Sequence, residues 1–130
     1  MIVAIDEIPR AAEPCDPSLD WRPVRDHLGI SSFGVNAFLG AREGDRVVEL
    51  HDETGGHEEL YVVVRGAARF VIDGAEHEVP AGSMVLVAPA TTREAFATAR
   101  DTAVLVIGGE PGSHRVSEWE ARQLELGRRA

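Results

Sequence analysis

Lysine is absent from this chain of 130 residues, and all thirteen basic residues are arginine. Any mechanism that needs an internal lysine, as a Schiff-base nucleophile or a general base, is thereby excluded. Cysteine is almost absent too. Cys15 cannot form an internal disulfide, and its context Glu13-Pro14-Cys15-Asp16-Pro17 offers no basic neighbour to activate the thiol, so it reads as a bystander. Basic clusters are missing: only Arg128 and Arg129 pair, and the formal net charge of -9 repels phosphate backbones. Nucleic acid and anionic membrane are therefore excluded as partners. No apolar run approaches the ~20 residues of a membrane span. The stretch Met1-Ile2-Val3-Ala4-Ile5-Asp6 lacks the basic and long apolar regions of a secretion signal, which points to the cytoplasm.

What is present is ordinary for a folded domain: 44% hydrophobic and 27% charged residues in one chain long enough to bury a core without staples. A single domain over 1–130 is expected in three parts. Residues 1–31, broken by Pro9, Pro14, Pro17 and Pro23, read as an arm laid over a body. Residues 32–108 carry short Val-, Ile-, Phe- and Ala-rich runs between turn residues, the signature of an antiparallel sandwich or barrel. The expected strands are Phe33–Leu39, Arg46–His51, Glu58–Arg65, Ala67–Asp73, Glu76–Val79, Ser83–Val87, Arg93–Thr98 and Thr102–Ile107. Asp73-Gly74, between two alternating runs, specifies a type I′ hairpin, whose two central residues both need positive φ. Residues 109–130 form a tail in which Ser117 is a helix N-cap with Glu120 three residues on. Trp119, Ala121, Leu124 and Leu126 mark an apolar stripe that Gly127 would end. The runs Leu60–Val64 and Met84–Val87 are apolar on both parities, so a second sheet, the arm or a partner must cover their outer face. A homodimer is expected on that ground.

Residues 51–66 hold most of the reactive side chains. Alternation along a strand puts His57, Glu59, Tyr61 and Val63 on one side, with Glu58, Leu60, Val62 and Val64 on the other. Glu59 is the carboxylate expected to face the interior, beside Tyr61 on its wall. His57 is placed with it, because residues i and i+2 lie roughly 6.5 to 7 Å apart along a strand and can converge on one ion. His51 and Glu53 share that parity if Gly55 and Gly56 do not shift the register.

Here the sequence resembles a small single-domain cupin over about residues 33–108. The first family motif is a glycine, five residues, His-x-His, three or four residues, a glutamate, six residues and a glycine. The chain keeps its second half as Glu59 and Gly66, followed by the hairpin and Pro80-Ala81-Gly82. Counting the second motif from Gly82 puts Arg93 at its histidine. The resemblance implies an all-β fold, a cupin-type double-stranded β-helix or jelly-roll barrel with an N-terminal arm and a short C-terminal helix. Metal-binding cupins hold iron, manganese, nickel or zinc with three histidines and a glutamate. Counting back from Glu59 puts Glu53 and Gly55, or Asp52 and Thr54, where those histidines stand, so Glu59 is the one ligand in place. His51 and His57 offer the right chemistry at displaced positions.

The reading that follows is a small polar or acidic organic molecule bound in the barrel interior. Glu59 and His57 are the titratable, catalytic pair, and Arg93 and Tyr61 bind substrate. A divalent transition metal (Fe, Mn, Ni or Zn), where one is held, takes His51, His57 and Glu59, and the chemistry is then that of a metal-dependent oxygenase or isomerase. An Arg93–Glu59 pair inside the barrel would instead hold the carboxylate ionised, fill the space of a metal and point to a metal-free pocket. The rival is a metal-free, non-catalytic barrel for sensing or dimerisation. His27, His77 and His114 read as surface residues.

Overall fold

The computed structural model describes residues 1–12 and 16–129; Cys15 lies outside them. Two antiparallel sheets face each other. The five-stranded sheet runs β1 (Asp20–Arg22), β2 (Gly34–Gly40), β9 (Thr102–Gly109), β4 (Glu58–Arg65) and β7 (Met84–Val87). The four-stranded sheet runs β3 (Arg46–His51), β8 (Arg93–Ala97), β5 (Ala67–Ile72) and β6 (Ala75–Pro80). One short helix, α1 (Val24–Leu28), lies in the arm, and a second, α2 (Glu118–Arg129), ends the described chain. Every expected strand is found within a few residues of its expected limits. The Asp73-Gly74 hairpin has φ of 47° and 83° at its two central residues, as a type I′ turn requires.

Period-2 alternation builds the interior. Tyr61 and Val63 of β4, Phe70 of β5, Ala95 of β8, and Val104 and Val106 of β9 all point between the sheets, and the Tyr61 and Phe70 rings meet edge to face at 5.5 Å. The opposite faces of β2 and β9 are apolar as well, and the arm covers them. Ile8, Val24, Val35 and Ala37 are buried there with Leu105 and Ile107 packed against them. The arm is more than a cover, because its residues 20–22 form an edge strand hydrogen-bonded to β2, with Trp21 opposite Phe38. Arg65 at the end of β4 clamps Asp6 with two hydrogen bonds of 2.9 and 2.7 Å and holds the arm down.

The tail differs from expectation in one respect. Ser117 does cap α2, its Oγ accepting from the Glu120 N–H at 3.1 Å, but the helix runs through Gly127 to Arg129. A glycine inside a helix costs only about 1 kcal/mol, and the exposed Arg128 and Arg129 continue the turn and favour its C-terminal end. Trp119, Leu124 and Leu126 all remain exposed, so the apolar residues of α2 join no core cluster of the described residues. Met84 and Leu86 on the outer face of β7 are exposed too.

Gly66 closes the stretch that opens at Glu59. Its φ is +71°, and a methyl group there would collide with the Thr102 hydroxyl and come within 2.7 Å of the Thr102 Cα. Thr102 cannot retreat, since it is fully buried and its one hydroxyl hydrogen is held between the Ala99 and Ala67 carbonyls, at 2.9 and 3.1 Å. Gly66→Ala is therefore expected to destabilise the fold by about 2 to 4 kcal/mol through left-handed strain and overpacking. Urea unfolding, read as a lower midpoint at unchanged slope, checks it.

Candidate functional site

A cavity of about 270 Å³ opens between the sheets at the arm end, lined by Asp16, Leu19, Trp21, Asn36, Phe38, Val48, Glu49, His51, Glu53, Glu59, Tyr61 and Val106. Each strand contributes by its inward parity: Asn36 and Phe38 from β2, Glu59 and Tyr61 from β4, Val106 from β9. β3 is the exception. Its pairing with β8 slips twice, between Arg46 and Val48 and between Val48 and His51, so that His51 comes to lie opposite Arg93. These bulges bury Val47 and Val48 together and turn the His51 ring into the cavity.

His51, Glu53 and Glu59 form a cluster whose ligand atoms all lie within 4.8 Å of one another. His51 Nε2 is 3.3 Å from Glu53 Oε1 and 3.6 Å from Glu59 Oε1, while Nδ1 is 2.7 Å from the Glu49 carbonyl. The carbonyl can only accept, so the proton on Nδ1 is fixed and Nε2 is the nitrogen aimed at the carboxylates. Glu53 sits in the loop after β3, its N–H donating to the Pro89 carbonyl at 2.7 Å.

Glu59 Oε1 accepts from the Tyr61 hydroxyl at 2.7 Å and faces Arg93 Nη2 at 3.7 Å. Burial alone would push this carboxyl up, but His51, then Tyr61 and Arg93, reverse the effect and hold it below its usual value. The facing Glu59 carboxylate raises His51 to about 9 against its own partial burial, with help from the Glu49 carbonyl. At 3.6 Å the His51–Glu59 contact is an ion pair rather than a hydrogen bond. Burial, then the Glu59 charge, raises Tyr61 above the usual phenol range, so it stays a neutral donor.

Two of the expected site residues do not line the cavity. His57 is exposed and lines no part of the cavity. β4 begins only at Glu58, after a turn in which Gly55 has φ +76°, so alternation does not reach back to residue 57. Its ring rests instead against Gly108. Arg93 is fully buried and is not part of the cavity wall. Its Nη1 donates to the Thr91 carbonyl at 2.8 Å, and longer contacts reach Pro89 and Ala88. The expected Arg93–Glu59 pair thus forms, but the arginine stands behind Glu59 as its counter-ion, outside the cavity wall, so it is no substrate clamp and does not fill the space that His51, Glu53 and Glu59 share. The site gains Glu53, which the register left conditional, and Asn36, which sequence reasoning passed over. The signal for Asn36 was a lone amide at an inward position of an otherwise apolar run.

The two-sheet fold is shared with solved structures. A Cupin 2 conserved barrel domain protein from Salinispora arenicola superposes with a TM-score of 0.67 at 16% identity, over 87% of this chain and 91% of that one. The chain has the cupin fold. A sugar phosphate isomerase from a cupin superfamily, from Silicibacter pomeroyi, matches with a TM-score of 0.66 at 20% identity, over 85% of this chain and 77% of that one. A predicted oxalate decarboxylase from Thermotoga maritima matches with a TM-score of 0.66 at 16% identity, over 83% and 97%. No family sequence model matches the chain, and no curated protein matches it in sequence. Among the described residues no helix is long and apolar enough to cross a membrane.

The raised His51 and lowered Glu59 fix a pH dependence. His51 stabilises the fold fully below 6.5, its ordinary value, and the contribution is lost as pH rises through about 9. Glu59 acts with the opposite sign, stabilising above the usual carboxyl range and ceasing to do so in acid. In chelator-treated protein, stability is expected to fall between pH 6.5 and 9 by on the order of 1 kcal/mol after solvent screening. Thermal melts of the protein and of His51→Gln across that range check it, the variant losing the slope.

Proposed function

We propose that this cupin barrel is a metal-dependent enzyme of the isomerase or oxygenase kind, acting on a small polar organic molecule in the cavity. The observation that carries the reading is the convergence of His51, Glu53 and Glu59 within 4.8 Å, with His51 already oriented through Nδ1. One imidazole and two carboxylates suit Mn²⁺, Fe²⁺ or Zn²⁺, and three protein ligands leave positions for water and substrate. Such an ion, when bound, supplies Lewis-acid polarisation of a substrate oxygen or an activated water. The chain's own residues do the rest: Tyr61 and Arg93 keep Glu59 ionised, Glu49 orients the imidazole, and Leu19, Phe38, Val48 and Val106 exclude bulk water. A cavity of about 270 Å³ is at the low end for ligand sites and restricts the substrate to a few carbon atoms. The isomerase and predicted decarboxylase that share the fold are consistent with this class of chemistry.

A second reading has its own observation. His51 and Arg93 as cations balance Glu53 and Glu59 as anions, so the cluster is neutral with no metal, as a binding or sensing barrel requires. Elemental analysis of protein purified without chelator, followed by Mn²⁺, Fe²⁺ and Zn²⁺ titration, separates the two. The metalloenzyme reading expects stoichiometric metal and a loss of about 100-fold in affinity for Glu59→Gln, with the thermal stabilisation by metal lost in parallel. Affinity no tighter than millimolar for all three ions would leave the metal-free barrel.

The partner expected on the outer face is a second copy of the chain. β7 is an edge strand of the five-stranded sheet, and Met84 and Leu86 stand exposed along it. Face-to-face packing of two such outer faces about a two-fold axis would cover both residues. Sedimentation at tens of micromolar is expected to give a dimer, and Leu86→Glu a folded monomer.

A further inference from the structure

Four residues of the cavity wall carry side-chain donors: Trp21, Asn36, His51 and Tyr61. Three of them are already engaged. The Trp21 indole N–H donates to Asn36 Oδ1 at 2.9 Å, the Tyr61 hydroxyl donates to Glu59, and His51 donates through Nδ1 to the Glu49 carbonyl with Nε2 turned to Glu53 and Glu59. Asn36 Nδ2 has no acceptor among the described residues. It is not a sealed orphan either, since the buried nitrogens without partners are Arg69 Nε and Arg93 Nε. The orientation of the amide follows from chemistry, because an indole N–H can only donate and so must meet the oxygen. Trp21 therefore pins Asn36 with both Nδ2 hydrogens unclaimed by the described residues.

The rest of the wall is rich in acceptors. Asp16, Glu49, Glu53 and Glu59 bring four carboxylates, and Arg93 is not exposed to the cavity. A substrate hydroxyl can donate to any of these, so it needs no particular partner. A carbonyl oxygen can only accept, and a carboxylate would meet a wall of net negative charge, since His51 and Arg93 balance Glu53 and Glu59 but not Asp16 and Glu49. We propose that Asn36 is the substrate-orienting donor of the cavity, held in place by Trp21 of the arm, and that it takes the oxygen of a small uncharged carbonyl compound. The apolar part of that compound rests on Leu19, Phe38, Val48 and Val106. The inference rests on the cavity being the binding site proposed above, but it does not require the metal.

The test uses the full chain after chelator treatment, with cyclohexanone and cyclohexanol as probes in saturation-transfer NMR titrations. The wild-type protein is expected to bind cyclohexanone, and Asn36→Leu and Asn36→Asp to bind it about tenfold more weakly, the worth of one hydrogen bond of about 1.4 kcal/mol. Cyclohexanol affinity should change by less than about threefold in the same variants, and Trp21→Phe should weaken the ketone selectively by freeing the amide. Circular dichroism melts confirm that each variant is folded. The proposal is overturned if the wild type ignores cyclohexanone, if Asn36→Leu binds it as well as the wild type, or if ketone and alcohol are lost together. Mn²⁺ titration of Asn36→Leu and Glu59→Gln keeps the two readings apart: the first is expected to retain the wild-type response, whereas the second should still bind ketone.

Discussion

The carboxylate of Glu59 is the constraint around which the site is arranged. Its side chain is only 13% exposed, and an ionised carboxyl at that depth carries a desolvation cost of several kcal/mol unless opposite charge and donors surround it. Tyr61, His51 and Arg93 all converge on the same oxygen, Oε1. Arg93 is the one of the three that is buried completely, so it needs acceptors of its own. It finds them in the carbonyls of Ala88, Pro89 and Thr91, the turn between β7 and β8. The Pro89 carbonyl also takes the N–H of Glu53. Arg93 thereby joins His51 and Tyr61 in keeping Glu59 ionised, and it shares the Pro89 carbonyl that anchors Glu53, so the cluster is organised before any ligand arrives.

The third member arrives by a different device. A regular β3 would alternate from Arg46 and send neighbouring valines to opposite faces. The two slips against β8 instead bury Val47 and Val48 together, expose Glu49 and Leu50, and return His51 to the interior opposite Arg93. Bulges of this kind aim a side chain at the expense of a regular ladder. Here the irregular strand also brings the Glu49 carbonyl under the imidazole, so the same distortion that places the ring also sets its tautomer.

The fold is legible in the residues wherever local chemistry and global packing agree. Asp73-Gly74 can form little but a tight hairpin, and the alternation of Glu59, Tyr61 and Val63 survives because both edges of β4 are paired, with β9 and β7. The site is legible only as far as that alternation holds. His57 lies one residue outside β4, beyond the reach of its pairing, and parity misplaces it. Arg93 has the expected inward position, but sequence does not tell whether an inward arginine meets ligand or backbone carbonyls. Asn36 shows in the sequence only as a lone amide in an apolar run, because the feature that singles it out is the indole of Trp21, fifteen residues away along the chain. Gly127 is read as a stop on propensity alone, a term of about 1 kcal/mol that the rest of the helix outweighs.

The cavity is assembled from two parts of the chain with different degrees of constraint. The ionic cluster belongs to the barrel strands and their turns, where each group is tied to others by burial and by hydrogen bonds, and a change at one is felt by all. Leu19 and Trp21 belong to the arm, which is held by one short edge strand, a clamp from Arg65 to Asp6 and an apolar contact outside the barrel. Substitution in the arm can reshape the wall, and through Trp21 reorient Asn36, without disturbing the charges around Glu59. Chemistry and selectivity are in this way carried by separable elements, the first by the closed pair of sheets and the second by the segment laid across their open end.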